Sequence, residues 1–280
     1  MTSTDSPSAT AEPAPVVLSE LDEHGVLLLT LNRPERNNGW TIEMEEAYFR
    51  ALIGAANDPA VKVIVVTGAG RAFCPGLDMI ALAETAATGK RIGDRRYPMT
   101  LARRVHKPII AAINGAAAGI GFIQACCADI RFASSTAKFT SSFARRGLPA
   151  EHGVTWVVER IVGHGVAADL MLSARVVLAD EALAIGLVNR VLPPDELLPA
   201  ALAYARDIAD NCAPISLAHI KGQLLDDLER SSEEARLQGL VLMADHSGTD
   251  DFNEGVRSFQ EKRAPRFSGY DQQLKVMRGV

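Results

Sequence analysis

Two short stretches of this sequence combine residue types suited to chemistry on a carbonyl group. The first, Arg71-Ala72-Phe73-Cys74-Pro75-Gly76-Leu77-Asp78, follows an apolar run and precedes a helical pattern. Gly76 lets the backbone approach a ligand closely. The Leu77 amide is then free to point into a cleft, with Asp78 capping the next helix. The second, Asn114-Gly115-Ala116-Ala117-Ala118-Gly119-Ile120-Gly121, lies between another apolar run and a helix. Its small residues leave a helix N-terminus bare, with free N–H groups and the positive dipole end. Such a terminus suits a developing oxyanion. Each stretch also has a plainer use, as a strand-to-helix turn or as close helix–strand packing.

These stretches need rigid elements to hold them. Val26–Leu31, Val61–Val66 and Ile109–Ile113 are continuous apolar runs, the pattern of strands covered on both faces. Between the first two, a helix begins near Thr41, a good N-cap, with Met44, Tyr48, Leu52 and Ala55 at helical spacing. Glu43, Glu45 and Glu46 favour its N-terminal end. A helix from about Gly119 to Cys127 and a strand over Asp129–Ala133 follow. From about Pro194 the pattern is helical only: Leu197–Asp210, Ile215–Leu228, Ser232–His246 and Phe252–Lys262. Strands with crossover helices, then a run of helices, indicate an α/β core with a helical C-terminal part.

Composition narrows the function. With 280 residues, 48% of them hydrophobic, the chain can bury a large core. A net charge of −5 argues against a nucleic-acid surface, and no apolar run approaches the roughly 18 residues of a membrane span. Cys74, Cys126, Cys127 and Cys212 show no metal-ligand spacing and read as buried thiols of a reducing compartment. Residues 1–15 lack the features of a signal peptide or a mitochondrial leader; the expectation is a disordered cytoplasmic tail. Gly68-Ala69-Gly70 resembles the start of a dinucleotide fingerprint, but Phe73 stands where the third glycine is needed.

Taken together and in this order, the two glycine-bearing stretches resemble the crotonase superfamily, the enoyl-CoA hydratase/isomerase family. The resemblance includes Leu31-Asn32-Arg33-Pro34-Glu35-Arg36-Asn37-Asn38, the segment from Ala179 to Asn189, and the segment from Asp251 to Pro265. It spans about residues 16–267. It implies stacked ββα units in residues 16–211 and a helical oligomerisation segment in residues 212–280. It also implies an acyl-CoA substrate, no cofactor beyond that coenzyme A, and assembly as a homotrimer or a dimer of trimers. No nucleic acid or membrane partner is expected.

Residue by residue, the resemblance assigns an oxyanion hole to the backbone N–H groups of Leu77 and Ile120. It places Arg36, Asn38, Ala72, Cys74, Gly76 and Asp78 along the coenzyme A, with Gly119 and Gly121 at the hole. Phe259 and Lys262 match positions that reach a neighbouring subunit's ligand. The two glutamates of a typical hydratase are absent: Ile123 and Phe143 stand at those positions. Hydration needs a water activated by positioned acid and base groups, which two apolar residues cannot supply. One carboxylate remains, in Gly147-Leu148-Pro149-Ala150-Glu151. This segment is similar to that of peroxisomal-type 3,2-enoyl-CoA isomerases, which implies that Glu151 is the base. A single carboxylate suits an isomerase, which takes a proton from C2 and returns it at C4. The plainer use of Glu151 is to favour the start of the next helix. Three rivals stand beside isomerisation: hydration, another enolate reaction such as hydrolysis or decarboxylation, and coenzyme A binding without catalysis.

Overall fold

A computed structural model describes residues 14–78, 80, 83, 87 and 95–270. The body is built on a six-stranded sheet and a smaller four-stranded one. The large sheet runs β1 (Val17–Leu21), β2 (Val26–Leu31), β3 (Val63–Gly68), β5 (Ile109–Ile113), β7 (Ile130–Ser134) and β10 (Arg190–Leu192). From β2 to β10 neighbouring strands are parallel, and β1 closes one edge antiparallel to β2. The small sheet runs β4 (Ala72–Cys74), β6 (Ala116–Ala118), β8 (Lys138–Thr140) and β9 (Val177–Leu178), with β9 antiparallel.

The order along the chain is what places the site. Three times, a long strand of the large sheet is followed at once by a short strand of the small one: β3 then β4, β5 then β6, β7 then β8. Helical structure then carries the chain back. The result is a stack of ββα units, and the turns after β4 and β6 emerge side by side.

The long apolar runs have a simple physical reason. Along β3, Ile64 and Val66 face one core while Val63 and Val65 face another; along β5, Ile109, Ala111 and Ile113 alternate with Ile110 and Ala112 in the same way. Both faces of these strands are covered, so period-2 alternation selects between two apolar cores rather than between core and water. One core holds helix α1 (Ile42–Asn57), α3 (Ile120–Cys127) and the small sheet. The other is closed by α7 (Pro194–Asn211), which lays Leu197, Ala201, Ala205 and Ala209 against the sheet at four-residue spacing. Alanine at the last three positions lets helix and sheet approach closely.

Thr41 caps α1 as expected, its side chain accepting from the Met44 amide. The strand expected at Val61–Val66 lies at Val63–Gly68, and that at Asp129–Ala133 lies one residue later. Val17–Leu21 forms an edge strand the sequence reading did not anticipate. The remaining elements include α2 (Leu101–Arg104), α4 (Val154–Val162), α5 (His164–Ser173) and α6 (Ala179–Ala184). The helix expected directly after Asp78 falls largely outside the described residues.

Beyond residue 212 come α8 (Pro214–Asp226), α9 (Ser232–His246) and α10 (Asp250–Glu261). Lys221 ties α8 to the body: its buried ammonium donates to Asp129 Oδ2 at 2.6 Å and to the Lys107 carbonyl at 3.0 Å. α9 buries none of its residues. Leu224, Leu237, Leu240, Val241, Met243 and Phe259 are exposed large apolar side chains on these three helices. No helix among the described residues is long and apolar enough to cross a membrane.

Candidate active site

The turn after β4 reaches Gly76 at φ +108°, a conformation open to glycine and strained for any other residue. Beyond it, Trp40 and Leu77 form an isolated parallel bridge. The Trp40 amide donates to the Gly76 carbonyl at 2.8 Å, and the Asp78 amide donates to the Trp40 carbonyl at 3.0 Å. In an extended chain alternate peptide groups face opposite sides, so the Leu77 N–H is turned away from Trp40. Among the described residues it has no partner.

The turn after β6 meets this one directly. A Cβ built on Gly76 would lie 3.1 Å from the Ala118 oxygen and 3.9 Å from the Gly119 Cα. Ile120 is the first residue of α3, so its N–H has no acceptor within the helix, and none is found among the described residues. Two donors thus sit on facing turns, one at a helix N-terminus whose dipole adds to them. Gly121 has the plainer role weighed earlier. A Cβ there would fall 1.9 Å from the Cys74 oxygen, so glycine is required for α3 to pack on β4.

The loop before α1 is strapped to the same turn. Asn38 is fully buried. Its Oδ1 accepts from the Arg33 amide at 2.8 Å, and its Nδ2 donates to the carbonyls of Ala69 at 2.9 Å and Ala72 at 2.8 Å. This side chain is committed to the main chain; Asn38 shapes the site by joining two loops rather than by offering a free amide. Asp78 accepts from the Ile80 amide at 3.0 Å and pairs with Arg33 and Arg36, each at 3.3 Å. The hydrogen bond from Arg36 comes first among the effects that hold its carboxyl below the usual range. Arg36 itself is partly exposed and its guanidinium edges the loop. The Cys74 side chain points into the core, where burial pushes the thiol up to about 12. It is a packing group, and its thiol donates weakly to the Gly76 carbonyl at 3.8 Å.

Ile123, one turn into α3, is fully buried, and Phe143 is nearly so. Both belong to the main apolar core with Ile120 and Val154, and Leu77 and Leu148 pack against it. The positions that the resemblance matches to a hydratase's acids are therefore taken up by apolar packing. Glu151 stands just before α4, which packs against α3. Its carboxylate is about a quarter exposed, with Oε2 3.3 Å from His152 Nε2. Burial holds His152 below the ordinary imidazole value, against the pull of the Glu151 carboxylate.

One group was misread. Glu45 was expected to serve the N-terminal end of α1, yet its carboxylate is buried, accepting from Trp40 Nε1 at 3.1 Å and pairing with Arg95. The signal was present: three and four residues before Tyr48 and Phe49, position 45 falls on the buried stripe of α1. An acid there requires a buried partner. Phe259 and Lys262 are not joined to this site within one chain. Phe259 is 86% exposed and lines an apolar groove with residues of α8 and α9, and Lys262 terminates α10 in the left-handed region. Cys74, Cys126, Cys127 and Cys212 are free thiols.

Comparison with known proteins places this geometry. Residues 22–271 match the family model for enoyl-CoA hydratase/isomerase. A protein of Mycobacterium tuberculosis named "Probable enoyl-CoA hydratase echA12" is 36% identical over 269 residues, covering 90% of this chain and 93% of its own. The 1,2-epoxyphenylacetyl-CoA isomerase of Escherichia coli is 34% identical over 257 residues, covering 88% and 96%. A crystal structure of a probable enoyl-CoA hydratase/isomerase from Mycobacterium abscessus is similar with a TM-score of 0.83 and 35% identity, covering 91% of this chain and 99% of that one. With its stacked ββα units and paired amides, this chain is a crotonase-fold member of the enoyl-CoA hydratase/isomerase family of acyl-CoA enzymes.

Proposed function

We propose that the protein moves a double bond along an unsaturated acyl-CoA. The Leu77 and Ile120 amides hold the thioester oxygen while Glu151 takes a proton from C2. The electron pair of that C–H bond passes into a dienolate, whose negative oxygen the two N–H groups stabilise. Glu151 then delivers a proton at C4. The chemistry is a proton transfer and calls for no cofactor beyond the coenzyme A of the substrate.

The observation that carries this reading is that the two positions of a hydratase's acids are apolar while one acid, Glu151, is left available among the described residues. Ile123 and Phe143 are buried in apolar surroundings, and Glu45 is committed to Trp40 and Arg95. Glu151 is left with a partly exposed carboxylate. The reading also extends to assembly. A homotrimer or pair of trimers would cover the apolar side chains left open on α8–α10, and would bring Phe259 and Lys262 to a neighbour's ligand.

Glu151→Gln tests the base. Turnover of a 3-enoyl-CoA is expected to fall by about 10²–10⁴-fold, while binding of the CoA ester changes little, because the hole is made of main chain. Unchanged turnover would overturn the assignment. Hydration is the second reading, favoured by the names of relatives such as the Mycobacterium tuberculosis protein. A short 2-enoyl-CoA offered to the wild type decides it: hydration is expected to be poor, and turnover comparable to that of an ordinary hydratase would displace isomerisation.

A further inference from the structure

Beside Glu151 lies a histidine whose surroundings the reaction described above does not use. His152 adopts φ +57°, a strained conformation for a residue with a side chain, and Gly153 follows at +69°. This double left-handed turn swings the imidazole back against Glu151. Nε2 is buried, comes within 3.3 Å of Glu151 Oε2, and has no other partner among the described residues. A buried ring nitrogen served by one long contact is costly, and backbone strain at the same residue adds to that cost. The ring as a whole is a quarter exposed, and His152 also lines an open cavity of about 370 Å³. Thr100, Arg103, Arg104, Trp156, Leu225 and Glu229 also line that cavity, and Glu151 does not. His152 therefore touches both the proposed base and an open cavity that the base itself does not line.

We propose that His152 relays the proton held by Glu151 to solvent in this cavity. The inference rests on Glu151 being the base. Abstraction at C2 breaks the C–H bond and leaves Glu151 as the acid. Its O–H proton passes to the Nε2 lone pair of a ring protonated at Nδ1, and the Nδ1 proton leaves to water. The reverse passage delivers a solvent proton to the carboxylate before it is returned at C4. His152 acts through Glu151 and is not itself in contact with the reacting carbons. The charged groups around the ring are Glu151, the Glu45–Arg95 pair on the α1 side, and Arg103, Arg104 and Glu229 about the cavity. Burial keeps the imidazole neutral, as an acceptor must be, and the two carboxylates favour its brief protonation.

The experiment is isomerisation of a 3-enoyl-CoA in D2O, following turnover and the deuterium appearing at C4 of the product. Asparagine tolerates the left-handed backbone, so His152→Asn removes the relay with little strain. His152→Gly, which takes φ +57° freely, serves if the first variant melts early. The wild type is expected to place close to one solvent deuteron per turnover. In the variant, deuterium per turnover should fall several-fold while turnover stays within about ten-fold. A product equally deuterated with and without His152 would overturn the relay, as would a wild type that transfers its proton without exchange. Glu151→Gln separates the two readings. Turnover surviving in that variant removes the base, and the relay with it, whereas turnover lost there beside undiminished exchange in His152→Asn removes the relay alone.

Discussion

Gly76→Ala tests whether the two facing turns form an oxyanion hole. The residue sits at φ +108°, and an added Cβ would meet the Ala118 oxygen at 3.1 Å. Backbone strain at such a position costs on the order of 1–3 kcal/mol. The contact is a few tenths of an ångström too tight, and the atom opposing it is main chain that cannot rotate away. Relief therefore displaces the Gly76–Leu77 turn, the Ala118–Ile120 turn, or both. Each carries one of the two N–H groups. Loss of one such donor typically lowers kcat by about 10²–10³-fold, or roughly 3–4 kcal/mol of transition-state stabilisation. The strain would lower the melting temperature by about 2–4 °C per kcal/mol.

The assay is turnover of a 3-enoyl-CoA, alongside solvent exchange at C2 of a saturated acyl-CoA, which reads enolate formation whatever the later steps. Gly54→Ala is the control. Gly54 lies inside α1 with nothing within 4 Å of a new Cβ, so alanine there should stabilise by about 0.5–1 kcal/mol and leave catalysis alone. Wild-type turnover and exchange in a folded Gly76→Ala would refute the hole.

Two further outcomes follow from groups away from the reacting carbons. Asn38→Ala leaves the Ala72 carbonyl without the Asn38 amide, and the Ala69 carbonyl and Arg33 amide likewise; a loss of about 1–3 kcal/mol in chemical denaturation is expected, with weakened CoA-ester binding, and an unchanged midpoint would show the strap to be idle. His106 has both ring nitrogens buried without hydrogen-bond partners, and burial, with Lys107 and Lys221 nearby, lowers it to about 4. The unfolded chain then binds the extra proton first, so this group's stabilisation is complete above about pH 6.5 and drains away as pH falls toward 4. Melting curves across that window should show a smaller acid slope in His106→Phe, and an identical slope would remove the assignment.

How far the sequence reveals this molecule depends on the length of the signal. Val26–Leu31 and Ile109–Ile113 were legible to the residue because both faces of those strands are buried and their apolar runs are unbroken. The four C-terminal helices were legible from their period. The small sheet was not: β4, β6 and β8 have three residues each, and β6 is entirely alanine, so no alternation has room to show. These strands lie inside or beside the very motifs that pointed to the site, which were read as turns. Gly76 and Gly119 both take positive φ where the two turns meet, whereas Gly121 serves packing. Glu45, Arg95 and Trp40 were passed over because their connection joins residues up to 50 positions apart, and only the placing of an acid on the apolar stripe of α1 hinted at it. His106 gives no sign in sequence, since its burial depends on Tyr270, 164 positions away by number, crossing edge to face at 4.8 Å.

The bridge between Trp40 and Leu77 has a consequence for how this protein would look to a mutational survey. The proposed hole consists of two main-chain donors, and no side-chain substitution at residues 77 or 120 deletes an N–H unless it is to proline. An alanine scan would report Leu77 and Ile120 as ordinary packing positions. The sensitivity would surface elsewhere: at Gly76, where a Cβ is obstructed; at Gly121, where it collides with Cys74; and along residues 38–40, whose hydrogen bonds fix the direction in which the Leu77 peptide faces. On the proposed reading, the neighbours of the two donors would carry their mutational signature, while the residues that own the N–H groups would stay silent.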